Sequence, residues 1–153
     1  MTFEQHQQLG QWLYKVTDYM MEHRSKNCLP LATRDTLFRY VAFAHLTGRL
    51  SVAFDLQTMT KIEGVLISWV DWQEHIEAKA EAGVQQFEFV KAHPGDAVFV
   101  AEAMGSREAI TRIAQAMFEK FPHLLVTPVY TYRHGKLHRL SMKRINQFMK
   151  EAK

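Results

Sequence analysis

At 153 residues the chain is long enough to bury a substantial core, and 47% hydrophobic with 23% charged residues is the balance of one globular domain. No apolar run approaches the roughly 18 residues of a membrane span. A lone cysteine, Cys28, excludes an internal disulfide and a thiolate zinc cluster. The polar start around Glu4 has no apolar signal region, so the expected compartment is the cytoplasm.

The first predicted element is a helix from Thr2 to about Arg24. Thr2-Phe3-Glu4-Gln5 fits a capping box, and Leu9, Trp12, Leu13, Val16, Tyr19 and Met20 form one apolar stripe. Asn27-Cys28-Leu29-Pro30 breaks it. Thr33 caps a second helix, Arg34 to about Leu46, closed by Gly48. That helix is apolar nearly all round, which predicts deep burial. Two β-like segments follow, Leu50–Leu56 and Glu63–Val70, joined by the polar run 57–61 as a hairpin. His75–Ala82 reads as a short exposed helix ended by Gly83, and Phe87–Val90 as a short strand. His93-Pro94-Gly95-Asp96 is a turn.

The stretch from Val98 to Phe121 is the most informative. An apolar run, Val98-Phe99-Val100-Ala101-Glu102-Ala103-Met104, ends in Gly105-Ser106-Arg107. Ile110, Ile113, Ala114, Met117, Phe118 and Phe121 then recur at helical spacing, with Ser106 as N-cap. Strand, tight turn and helix N-terminus together offer backbone N–H groups to a phosphate or another anion. The plain alternative is a buried strand joined to a surface helix. Leu124–Tyr132 reads as a further strand, with Pro128 marking an edge or bulge. A turn at 133–136 and a return strand Leu137–Leu140 precede a last helix capped by Ser141 and carrying Ile145, Phe148 and Met149. The expected fold is a single mixed α/β (α+β) domain over residues 1–153, with helices covering a central, mostly antiparallel sheet.

This element order resembles the GNAT acyltransferase superfamily, in which a central strand leads into the donor-binding helix. The superfamily's usual R/Q-x-x-G-x-G/A loop is absent, and Met104-Gly105-Ser106-Arg107 stands in its place. Several pieces are similar to the bacterial toxin-activating lysine acyltransferases of the RTX systems, a branch that lacks the loop. They are Leu9-Gly10 with Trp12-Leu13, His23-Arg24, Ser68-Trp69, Gly95-Asp96 before Phe99-Val100-Ala101-Glu102, Lys120-Phe121-Pro122, and His134-Gly135-Lys136-Leu137. The resemblance covers most of the chain in order.

The resemblance implies transfer of an acyl group from acyl carrier protein, or from CoA, to an amine, with a protein lysine as one acceptor. It implies His23 and Glu102 as the catalytic pair, although Glu stands where that branch has Asp. Met104, Gly105, Ser106 and Arg107 become donor-binding candidates, and Ser68 and Trp69 candidates for an acyl groove. The donor thioester is a substrate, so no tightly bound cofactor and no metal are expected. An acyltransferase of this kind predicts splayed central strands and an apolar groove beside Gly105.

Each residue also has a plainer reading. His23 suits a helix C-terminus, where a solvated histidine interacts well with the helix dipole. Glu102 could stand at a strand end that reaches water. Trp69, closing an apolar strand, is a better core candidate than Trp72. His134 and His138 are flanked by strand-like sequence, which argues against a helical metal pair. An acetyl-CoA-dependent N-acetyltransferase is an alternative enzyme. A binding module without catalysis is the alternative outside enzymes. Its partner surface would be the basic C-terminal segment, with Arg133, Lys136, Arg139, Lys143 and Arg144, opposite a protein or, less favoured, nucleic acid. A homodimer is compatible with either.

Overall fold

Helix α1 (Phe3–His23) opens on the capping box its sequence predicts. Thr2 N–H donates to Gln5 Oε1 at 2.7 Å, and Gln5 N–H donates to Thr2 Oγ1 at 3.2 Å. The structure, a computed structural model, describes residues 1–23, 33–82, 95–133 and 136–140. Helix α2 (Arg34–Leu46) is capped by Thr33, whose hydroxyl accepts from Thr36 N–H. Arg34 reaches back to Asp18 at 2.8 Å and ties the two helices together. Deep burial of α2 is not what the structure has. Leu37, Val41 and Ala44 are buried, but Phe43 is 40% and Leu46 77% exposed. Phe43 lies over the Trp69 ring at the border of the contact, and Leu46 beyond it is left in water.

Five strands form one mixed sheet in the order β1 (Leu50–Phe54), β2 (Ile62–Asp71), β3 (Ala97–Gly105), β4 (Val129–Arg133), β5 (Lys136–Leu140). Every neighbouring pair is antiparallel except β3 and β4, which are parallel. The turn between β1 and β2 is organised by Asp55, whose carboxylate accepts from Thr58 Oγ1 and from the N–H groups of Thr58, Thr60 and Lys61. Those bonds, the Thr58 hydroxyl first, hold the Asp55 carboxyl well below the usual carboxylate range.

Helix α3 (Gln73–Glu81) follows β2, and helix α4 (Arg107–Lys120) connects β3 to the parallel β4. The expected strand over Leu124–Tyr132 is divided. Pro122–Leu125 is a 3-10 turn, and the strand begins only at Val129, after Pro128. Pro122 sets the turn's first dihedral, and Val126 and Thr127 N–H donate back into the turn. Those amides are therefore lost to a ladder. The expected strand at Phe87–Val90, the first half of the 93–96 turn, Cys28, His134 and the helix from Ser141 lie outside the described residues.

The sheet has two different faces. On one, α1, α2 and α3 cover Val65, Ile67, Trp69, Phe99 and Met104 to make the main core. On the other, α4 and the 3-10 turn cover Leu66, Val98 and Val129. Among the described residues no helix is long and apolar enough to cross a membrane.

Candidate functional site

β3 positions the site, and glycine sets its end. Gly105 has φ +129°, and a Cβ there would stand 2.2 Å from Glu63 O and 2.5 Å from Gly64 Cα. Gly64 in turn lies 3.0 Å, measured from its own would-be Cβ, from Ala109 Cβ on α4. Two glycines on adjacent strands thus let the first turn of α4 close onto the sheet. Ser106 Oγ accepts from Ala109 N–H at 3.1 Å, the N-cap its sequence predicts. Ser106 N–H is committed to Glu63 O at 3.1 Å. First-turn amides outside the helix's own ladder belong to Arg107 and Glu108. Arg107 is exposed and Met104 buried.

Glu102 is 2% exposed, on the middle of an apolar strand. A β-bulge falls between β2 and β3 here: Ile67 pairs with Glu102, but Ser68 pairs with Val100. The bulge puts Glu102 opposite Ile67, on the face covered by α1 and α2. It does not point to α4, as simple alternation from Val98 and Val100 would have it. A carboxylate withdrawn from water needs a partner, and Glu102 is not without one.

His23 sits on the last turn of α1, exposed. Its Nδ1 lies 2.9 Å from Tyr19 O, and its ring stacks on Tyr19 at 4.0 Å between centroids. Burial pushes the Tyr19 phenol up, and the charges of Glu63 and Glu22 add to it. Glu63 is the residue whose carbonyl holds Ser106. The end of α1 therefore lies toward the end of the sheet where β3 runs into α4. His23 and Glu102 share the α1/α2 side of the sheet.

Ser68 and Trp69 point to opposite faces. Trp69, 1% exposed, is core: its Nε1 donates to Tyr40 Oη at 3.1 Å and its ring stacks on Phe43. Ser68 faces α4 and lines a groove of about 640 Å³ between β1, β2 and the C-terminal half of α4. This groove lies toward the far end of α4 from Gly105, so it is not the groove expected beside that glycine. Lys136 and Arg139 are exposed on the edge strand β5; the side chain of Arg133, and Lys143 and Arg144 altogether, lie outside what is described.

β3 and β4 pair only over Val98–Val100 with Val129–Thr131. Thr131 Oγ1 donates to Val100 O, and beyond it β4 pairs with β5 alone. From Ala101 to Gly105, β3 has no strand partner on that side among the described residues. The sequence offered no sign of several other polar contacts, of which the Asp71 group lies at the opposite end of β2 from the Gly105 turn. Arg112 donates to Phe54 O at 2.9 Å and to Glu63 Oε2 at 3.0 Å. Buried Asp71 gathers Lys79 at 3.0 Å, His75 and the Trp72 N–H, and Tyr130 Oη donates to Glu77. No group of three or more His, Cys, Asp or Glu suited to a metal occurs among the described residues.

Compared with known proteins, the chain matches no family model, and no curated protein matches it.

Proposed function

We propose that this protein is an acyltransferase of GNAT-like architecture. It moves an acyl group from an acyl carrier protein thioester, or from acyl-CoA, to an amine, with a protein lysine as one acceptor. The observation that carries the reading is the divergence of β3 from β4 after Val100, beside the buried Glu102 and ahead of the Gly105 turn. A parted pair of parallel strands leaves backbone donors and acceptors for an extended thioester arm, and the α4 N-terminus favours its phosphate.

Acyl transfer to an amine needs a base for the ammonium proton, a polarised carbonyl and an acid for the leaving thiol. The free amine attacks the thioester carbon, the C–S bond breaks, and the sulfur leaves with a proton. His23, at the open end of α1, is assigned as the base. Glu102 acts on the same side of the sheet, orienting the reacting groups. Arg107 is assigned to the donor's phosphate. An acetyl-CoA-dependent N-acetyltransferase uses the same parts with a shorter donor.

The test is incubation of purified protein with acyl carrier protein thioesters and acyl-CoAs, followed by intact-mass analysis. Transfer to an added amine or lysine peptide, or donor hydrolysis above background, is expected, and the productive donor identifies the carrier. No adduct and no turnover with any donor contradicts the assignment. The second reading, a binding module, has support in the exposed Lys136 and Arg139 on an edge strand. Its partner is a protein or, less favoured, nucleic acid; with nucleic acid the affinity falls steeply with salt and is indifferent to Glu102.

A further inference from the structure

Arg49 is fixed in the wall of the 640 Å³ groove by its own backbone. Its N–H donates to Ala44 O at 2.7 Å, and its carbonyl accepts from Ser68 N–H at 3.2 Å. Its Nε is closed off from solvent and has no hydrogen-bond partner among the described residues. A guanidinium N–H buried without an acceptor is unfavourable, and native chains tolerate few.

The rest of the lining is uneven in charge. Lys120 joins Arg49 and the already engaged Arg112, and no Asp or Glu among the described residues lines the groove. Between these cations the walls are apolar: Val70, Val98, Ile113, Met117 and Leu124. A volume of this size is within the usual span of small-ligand sites. Apolar walls with a cationic rim exclude a simple hydrocarbon as the best occupant, since it leaves Arg49 Nε unsatisfied. They also exclude a small inorganic anion, since it leaves the walls wet.

We propose that this groove is a binding site for a carboxylate-headed apolar chain, with Arg49 as the residue that holds the head group. The carboxylate draws the guanidinium out of the wall, gives Nε the partner it lacks, and meets an outer nitrogen as the second prong. The chain then lies along Ile113, Met117 and Leu124. The site is on the α4 face, opposite His23 and Glu102, so it stands whether or not the protein transfers acyl groups.

The test is a titration of the full chain with decanoate below its micelle concentration, with decanol and inorganic phosphate as separate arms. Binding is followed by amide and arginine Nε–Hε NMR shifts. Saturable decanoate binding is expected, at least 10-fold tighter than decanol or phosphate, with the Arg49 Nε–Hε signal among those that move. Arg49→Gln is expected to weaken decanoate at least 10-fold. Ala116→Phe, an exposed position that fills the groove, is expected to abolish it while thermal unfolding stays cooperative. Decanol or phosphate binding as tightly, Arg49→Gln binding unchanged, or no saturable decanoate binding would each overturn the proposal.

Discussion

Two glycines in this chain are under opposite constraints, and the contrast can be measured. Gly105 combines a left-handed φ with backbone of the adjacent strand where a Cβ would stand. Gly10 lies inside α1 with nothing within 4 Å. Gly105→Ala should cost about 2–4 kcal/mol, because strain and the forced separation of β2, β3 and α4 add. Gly10→Ala should stabilise by about 0.5–1 kcal/mol, since the helix no longer carries glycine's backbone entropy. Urea unfolding of both variants checks the sign of each. Asp71 supplies a pH test. Burial pushes its carboxyl up, but hydrogen bonds from Lys79, the Trp72 N–H and His75, with the Lys79 charge, outweigh it and leave it below its ordinary value. A depressed carboxyl stabilises the fold above its unfolded value, near 4, and that contribution disappears as pH falls through the folded value. Asp71→Asn should therefore be about 2 kcal/mol less stable than wild type at pH 7. The gap should shrink below about pH 4 in parallel denaturation curves.

At the scale of elements, what could be read locally depended on where each cap finds its partner. The starts of α1, α2 and α4 were legible because Thr2, Thr33 and Ser106 bond within three residues of themselves. The start of α3 was not. Its first amide, Gln73 N–H, donates to Asp96 at 2.8 Å, from 23 residues further along the chain. Asp96→Ala should fray α3, speeding amide exchange in its first turn while α4 is unaffected, at a cost of about 1 kcal/mol. The division of Leu124–Tyr132 was half legible: Pro128 flagged an irregularity, but a run rich in valine and threonine concealed the 3-10 turn before it. The face of Glu102 was hidden too. Period-two counting from Val98 assigns it to the α4 side, and only the pairing with Ile67 across the bulge reverses that.

On the whole-molecule scale, the sequence order of helices and strands was enough for an α+β architecture with a mostly antiparallel sheet. It was not enough for the places where elements part. The separation of β3 from β4 after Val100, and the gap between β1 and the end of α4, depend on how whole elements are placed against one another and not on local pattern. No short motif encodes either. The same geometry separates the two proposed sites in space. The α1/α2 side carries His23 and Glu102, toward the Gly105 end, and the α4 side carries the cation-rimmed groove with Arg49. A chain built this way should lose acyl transfer and groove binding independently, one with each set of substitutions.

The most direct test of the central claim is acyl transfer, read by intact mass, for wild type beside His23→Ala and Glu102→Gln. Arg49→Gln serves as a folded comparator. The account predicts turnover by wild type and Arg49→Gln, with a loss of at least about 100-fold in His23→Ala and Glu102→Gln, all four showing the same cooperative unfolding. Undiminished transfer by both His23→Ala and Glu102→Gln, or no transfer by wild type from any carrier-protein or CoA thioester, would contradict it.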